Sequence, residues 1–140
     1  MKDKVVLDTN CLIASLSKRG AYFNVWSGLL AGEFTLCVSN DILLEYEEVL
    51  GIKVNQVVAF NVLRTLRNSP YVEFVIPHFF FGLIKSDPDD NKFVDCAIAA
   101  GATFVVSNDT HFNVLHNIPF PHVHVIDIAT FSRRIGSAGK

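Results

Sequence analysis

Along this chain, short apolar runs alternate with longer segments in which apolar residues recur every three or four positions. The apolar runs predict five strands, at residues 4–8, 34–38, 72–76, 103–106 and 123–126. The helical spacing predicts helices at residues 9–16, 22–30, 41–50, 54–66 and 91–100, with shorter ones near 111–115 and after Asp127. Strands that alternate with helices in this way form a parallel sheet covered on both faces. The pattern therefore predicts a single α/β domain over residues 1–140.

Composition narrows the class of protein. Half of the 140 residues are apolar and 19% are charged, as in an ordinary globular domain. Charged residues interrupt every apolar stretch before it reaches the roughly 18 residues of a membrane span. The first predicted strand begins too early to leave room for a signal peptide, so we expect a cytoplasmic protein. The three cysteines are scattered and lack the C-x-x-C spacing, which argues against a disulfide framework and a zinc site.

Two aspartates follow predicted strands directly. Asp8 ends the first strand, and Asp109 lies three residues beyond Val106. Ligands of open parallel sheets bind at the carboxyl ends of the strands, where both aspartates are expected. Each could instead cap the helix that follows it. The residues alone leave both interpretations open.

The predicted helices add further acids. In helix 41–50, Glu45 and Glu47 flank the apolar stripe on opposite sides, and the sequence does not decide which one reaches a cleft. In helix 91–100, Asp95 lies one turn from Asn91 among small residues that pack closely on a sheet. The acidic turn at residues 87–90 is explained by turn formation and by a helix N-terminus.

If Asp8, a glutamate of helix 41–50, Asp95 and Asp109 converge at one sheet edge, their like charges oppose folding unless a cation binds among them. Carboxylate oxygens without histidine or thiolate ligands favour Mg²⁺ or Mn²⁺. The formal net charge is −2, but without these four acids 10 acidic side chains face 12 basic ones. The net charge is thus compatible with a polyanionic substrate such as RNA.

Four motifs follow one another in order: VVLDTN at residues 5–10, EYEEVL at 45–50, DPDDNKFVDCA at 87–97 and VVSND at 105–109. Together they resemble the PIN-domain family, in the branch of toxins of toxin–antitoxin systems, over residues 5–131. The resemblance implies a three-layer α/β/α sandwich with a central, mostly parallel sheet. It also implies a Mg²⁺- or Mn²⁺-dependent endoribonuclease that cleaves single-stranded RNA, with an antitoxin as protein partner and a homo-oligomer, most often a dimer, as its assembly.

Carried over position by position, the resemblance assigns the catalytic and metal-binding acids to Asp8, Glu45, Asp95 and Asp109, and so selects Glu45 over Glu47. It gives supporting roles to Asn10, Ser107 and Asp90, the last as an extra metal or water contact. It assigns no role to the five histidines.

Two other functions are compatible with the sequence. An aspartyl-phosphate phosphatase also carries its nucleophile after a first strand, but it places a second acid two residues later, where this chain has Asn10. A PIN-like module that binds RNA or an antitoxin without efficient catalysis is the other alternative.

Phe79, Phe80 and Phe81 form an apolar run that departs from the pattern of the resemblance. Burial against the sheet is the expectation we favour, and a partner groove or dimer face is the alternative.

Overall fold

The computed structural model describes residues 2–138, and its centre is a sheet of five parallel strands. They are β1 (Lys4–Leu7), β2 (Thr35–Val38), β3 (Val72–Phe74), β4 (Phe104–Val106) and β5 (Val125–Ile126). Their order across the sheet is β3-β2-β1-β4-β5. The sheet, predicted from the sequence to be mostly parallel, is entirely parallel in the described residues.

In the described part of the chain, six α-helices connect and follow the strands: α1 (Thr9–Ser15), α2 (Phe23–Leu30), α3 (Asn40–Lys53), α4 (Gln56–Asn68), α5 (Asn91–Ala100) and α6 (Ile128–Ala138). Residues Pro88–Asp90 and Thr110–Asn117 form 3₁₀ helices. Polar side chains begin several of the helices: those of Asp8, Ser39 and Asn55 each accept a hydrogen bond from the backbone N–H three residues on. Gly101 ends α5 in the left-handed conformation (φ 64°), which suits glycine.

The central strands are covered on both faces. Val5, Val6 and Leu7 of β1 are all buried, although successive side chains of a strand point to opposite faces. The same holds for β2 and β4. Complete burial of a parallel sheet requires helices on each side of it. The prediction of a three-layer α/β/α sandwich is therefore confirmed.

The strand order places a crevice at β1. The chain adds β2 and β3 on one side of β1 and then crosses to add β4 and β5 on the other. Leu7 of β1 pairs with Val106 of β4, so the residues that follow these two strands leave the sheet side by side. Such a reversal of strand order opens a crevice at the carboxyl ends of the strands.

Residues 75–87 contain neither helix nor strand, and they contradict one expectation. Phe79, Phe80 and Phe81 are 72%, 75% and 39% exposed, so the expected burial against the sheet is wrong. The buried position of this segment belongs to Ile84, whose backbone N–H and carbonyl both bond the side chain of Asn91 on α5. This anchor leaves the phenylalanines outside the core.

Smaller differences concern the end of the chain. The last strand is limited to Val125–Ile126 rather than 123–126, and the helix expected near 111–115 is a 3₁₀ helix over Thr110–Asn117. Within residues 2–138, no helix has the length and apolar character needed to cross a membrane.

Candidate active site

Asp8 and Ser107 join the ends of the neighbouring strands β1 and β4. Asp8 is only 6% exposed; its Oδ1 accepts a hydrogen bond from the Cys11 N–H (2.8 Å), and its Oδ2 accepts one from the Ser107 hydroxyl. The Ser107 oxygen in turn accepts the Asp109 N–H at 3.0 Å. Asp8 therefore both caps α1 and stands at the sheet edge beside Asp109, so the two interpretations of this residue are compatible.

Asp109 lies next to a second group of polar side chains. Its Oδ1 is 3.2 Å from the Nδ1 of His111, which is also 3.5 Å from Asp90 Oδ2 and 3.7 Å from Asp87 Oδ2. Asp87 and Asp90 come from the turn that precedes α5. We call the following six residues the strand-end cluster: Asp8, Asp87, Asp90, Ser107, Asp109 and His111.

The charges of the strand-end cluster are poorly compensated. Burial, together with the negative charges of Asp87 and Asp109, raises the pKa of Asp90 to about 6, although His111 partly offsets this rise. Among the described residues, Asp90 Oδ2 and His111 Nδ1 are fully buried atoms without a hydrogen-bond partner. One ligand atom each from Asp87, Asp90 and His111 lies within 4.8 Å of the others. Oxygen and nitrogen donors at this spacing fit a small divalent cation.

Glu45 is held on two sides. The Thr9 hydroxyl donates to its Oε2, and Lys92 Nζ donates to its Oε1 at 2.8 Å. Burial opposes the charged form of Lys92, but the hydrogen bond and charge of Glu45, together with the charges of Asp89 and Asp41, outweigh burial and raise the pKa of the lysine. Glu45 is half-buried beside the residue that follows Asp8, whereas Glu47 is exposed. Of the two glutamates that the sequence leaves open, Glu45 is therefore the one in contact with the residues that follow β1.

Asp95 lies apart from the strand-end cluster. It is buried, its Oδ1 accepts the Phe81 N–H at 3.2 Å, and it lines a cavity of about 330 Å³ together with Ser39, Asp41 and Lys92. Burial raises the pKa of Asp95, and the bond from Phe81 lowers it in part. Within residues 2–138, the metal-spaced group of Asp87, Asp90 and His111 includes neither this carboxylate nor those of Asp8 and Asp109. Its observed contact is with the backbone of the segment that carries the exposed phenylalanines.

Asn10 lines a cavity of about 290 Å³ with Asp8 and Asp109. Its Oδ1 accepts a hydrogen bond from Lys53 Nζ at 2.9 Å, which brings a cation from the end of α3 to the rim of this cavity. The structure thus brings Asp8, Asn10, Ser107 and Asp109 together, with Asp90 beside Asp109. Glu45 is bonded to Thr9 and Lys92, and Asp95 lies in the second cavity.

The sequence motifs predict no functional role for His111, Asp87, Lys53 or Lys92. A usable signal existed for His111, because a histidine two residues after the strand-end Asp109 emerges at the same sheet edge. Asp87 was interpreted as a turn former, and it does accept the Asp89 N–H as such a residue would. The two lysines carry no signal in a single sequence, since solvated lysines are common.

Residues 4–111 match the family model described as PIN domain. Because the match covers more than half of the chain, this chain belongs to the PIN-domain family. No curated protein matches the sequence.

Solved structures share the fold at low sequence identity. VapBC2 from Rickettsia felis, bound to a DNA fragment from its promoter, has a TM-score of 0.60 at 19% identity over 89% of this chain and 98% of that one. DNA-bound VapBC from Salmonella typhimurium has a TM-score of 0.58 at 16% identity, over 91% of this chain and 99% of its own. FitAcB from Neisseria gonorrhoeae has a TM-score of 0.57 at 16% identity, over 89% and 98%. These similarities support the fold.

Proposed function

We propose that this protein is a metal-dependent endoribonuclease that cleaves single-stranded RNA with Mg²⁺ or Mn²⁺. The observation that carries the proposal is the strand-end cluster, in which the carboxylates of Asp87, Asp90 and Asp109 surround His111 and Asp8 is linked to Asp109 through Ser107. Membership of the PIN-domain family supports the same chemistry. Carboxylates gathered in this way are tolerated when a cation neutralises them.

The carboxylates of Asp8, Asp90 and Asp109 would hold the metal. Bound there, a divalent ion lowers the pKa of water and neutralises charge that develops on a phosphate. Ser107 orients Asp8 through its hydroxyl, and Asn10 supports the rim of the cavity.

Glu45 is fixed by Thr9 and Lys92 so that it can accept a proton from the attacking water. The resemblance implies a metal ligand at Asp95, but its bond to the Phe81 N–H favours the role of a loop anchor. Burial raises the pKa of the three thiols, which argues against a cysteine nucleophile.

Two lysines near the site offer contacts for the RNA backbone. Lys53 lies at the rim of the cavity of Asp8, and Lys92 lines the second cavity. Phosphate contacts of this kind position a nucleic acid without reading its sequence.

We further propose that the protein is the toxin of a toxin–antitoxin pair and forms a homodimer. The resemblance in the sequence motifs and the likeness to VapBC and FitAcB support this role. The exposed run at residues 79–81 is an apolar surface of the kind that binds a protein partner.

The test is cleavage of a mixed RNA pool. Purified wild-type protein should cleave single-stranded RNA in the presence of Mg²⁺ or Mn²⁺, and cleavage should stop when EDTA is added. The cleavage activity of Asp8→Asn and of Asp109→Asn should be at least a hundredfold lower than that of wild type. Glu48→Gln is the control, because it removes one carboxylate charge at an exposed position outside the strand-end cluster. Wild-type protein that binds RNA but never cleaves it would favour the non-catalytic module instead.

The phosphatase alternative has a separate readout. The residue two positions after Asp8 is Asn10, an amide bound to Lys53, and not the second acid that an aspartyl-phosphate phosphatase carries there. Incubation with a phosphate donor should therefore leave no phosphate on Asp8.

A further inference from the structure

One imidazole points into the strand-end cluster. His111 stands at the second position of the 3₁₀ helix Thr110–Asn117, two residues after Asp109. Its ring is 42% exposed, but its Nδ1 atom is buried and faces carboxylate oxygens of Asp87, Asp90 and Asp109 at 3.7, 3.5 and 3.2 Å. The Nδ1 atom of the ring is therefore turned away from solvent and toward the acids.

An ordinary ion pair explains this placement poorly. A protonated Nδ1 donates one hydrogen, and a good N–H···O bond has a heavy-atom distance of about 2.9 Å. All three observed separations are longer, and neither Nδ1 nor Asp90 Oδ2 has a hydrogen-bond partner among the described residues. Buried polar atoms without partners are rare, and they call for a missing ion or water.

A cation fits the same atoms better. Small divalent ions bind oxygen and nitrogen ligands at about 2.0–2.2 Å, so adjacent ligand atoms around an octahedral ion stand about 3 Å apart. The separations of 3.5 and 3.7 Å from Nδ1 to Asp90 and Asp87 need to shorten by only about half an ångström to meet this spacing. Ordinary side-chain rotation supplies such a movement.

We propose that His111 is a direct metal ligand through Nδ1, together with Asp87 and Asp90, and that it makes the site prefer Mn²⁺ to Mg²⁺. Imidazole suits transition metals, whereas Mg²⁺ binds almost only oxygen ligands. The inference rests on the proposed metal-dependent function: it shares the ligand Asp90 with that proposal and adds the carboxylate of Asp87 and one nitrogen ligand. An all-carboxylate site, as the sequence motifs imply, would discriminate less between the two ions.

The test is pulsed electron paramagnetic resonance of Mn²⁺ added to metal-stripped full-length protein. Wild type should bind Mn²⁺ and show ¹⁴N modulation from a coordinated imidazole. In protein labelled with ¹⁵N-histidine, a ¹⁵N signal should appear in place of the ¹⁴N modulation. His111→Gln should lose the ¹⁴N signal, weaken Mn²⁺ binding at least tenfold and reduce the preference for Mn²⁺ over Mg²⁺ in a competition titration. His122→Gln is the control, because His122 is exposed and outside the cluster; it should keep the signal.

The outcomes separate this inference from the proposed function. Tight Mn²⁺ binding without nitrogen modulation, or a signal unchanged in His111→Gln, would overturn the imidazole ligand while the carboxylate nuclease stands. If wild type binds Mn²⁺ no more tightly than Mg²⁺ and cleaves RNA only with Mg²⁺, the imidazole ligand is likewise overturned and the carboxylate nuclease stands. Failure of wild type to bind either ion would overturn both. If His111→Gln does not fold, the ¹⁴N and ¹⁵N spectra of wild type still decide whether a histidine is bound.

Discussion

The charge of Asp90 should destabilise the folded state of the metal-free protein, and replacement of Asp90 by asparagine should raise the free energy of unfolding. The carboxylate is 16% exposed, faces the negative charges of Asp87 and Asp109, and has a pKa raised from 3.8 to about 6. An asparagine at this position would keep the size of the side chain and remove the charge. Since Asp90 Oδ2 has no hydrogen-bond partner in the described part of the chain, the change breaks no bond at that atom.

The size of the effect follows from proton linkage. The folded state holds the Asp90 proton more tightly than the unfolded state, so this group stabilises the protein most at low pH. That stability is lost as the pH rises from about 4 through 6 and does not change further above it. A shift of roughly two pH units corresponds to at most about 3 kcal/mol. Because the site is partly open to water, screening reduces the expected gain in Asp90→Asn to about 1–2 kcal/mol at pH 7.5.

Urea unfolding of EDTA-treated protein, followed by circular dichroism at pH 7.5 and pH 4.5, measures this gain. The advantage of Asp90→Asn should be largest at pH 7.5 and much smaller at pH 4.5. Asp89→Asn is the control, because Asp89 belongs to the same turn but is exposed. An Asp90→Asn protein that is less stable than wild type at pH 7.5 would refute the electrostatic origin of the effect. An advantage that does not change with pH would refute it as well.

Three further predictions concern other parts of the structure. Asp95→Ala should lower the free energy of unfolding in urea by about 1–3 kcal/mol, because it leaves the Phe81 N–H without its acceptor. Asp95→Asn should lower it by less than about 1 kcal/mol, and equal losses in the two variants would exclude the role of Asp95 as a loop anchor. Lys53→Gln should weaken RNA binding and reduce the slope of the logarithm of the binding constant against the logarithm of the salt concentration by about 0.7. The control Arg67→Gln, on α4 close to the start of β3, should change neither, and an unchanged slope in Lys53→Gln would show that Lys53 does not contact the RNA backbone. Phe80→Ser should leave the free energy of unfolding within about 0.5 kcal/mol of wild type, because this side chain is exposed. It should weaken the homodimer or the complex with the antitoxin in analytical ultracentrifugation, and no change in either complex would show that Phe80 does not contact a protein partner.

The fold was readable from the sequence because strands buried on both faces are continuous apolar runs. Val5, Val6 and Leu7 carry no polar residue among them, and Asp8 marks where the strand ends. The ends of short strands were less predictable, since β5 has only two residues and is defined by its pairing with β4. The conformation of segment 75–87 could not be predicted from a repeating apolar pattern, because a single buried residue, Ile84, and its bonds to the Asn91 side chain hold the segment in place.

The site was predictable only in part. Strand-end positions brought Asp8 and Asp109 together, because parallel strands deliver their ends to one edge. Helical periodicity put Asn91 and Asp95 on one face correctly, but the residues that this face meets depend on the path of the preceding segment. Asp95 therefore contacts Phe81, and Asp90, which precedes it in the chain, occupies the position beside Asp109.

The most direct measurement is the anomalous scattering of Mn²⁺ in crystals of the full-length protein. We expect an anomalous peak about 2.2 Å from carboxylate oxygens of the strand-end cluster, in the crevice between the ends of β1 and β4. The peak should disappear in crystals of Asp90→Asn. Crystals that bind Mn²⁺ beside Asp95 in the second cavity, or that show no peak at saturating Mn²⁺, would contradict a metal centre at the strand ends.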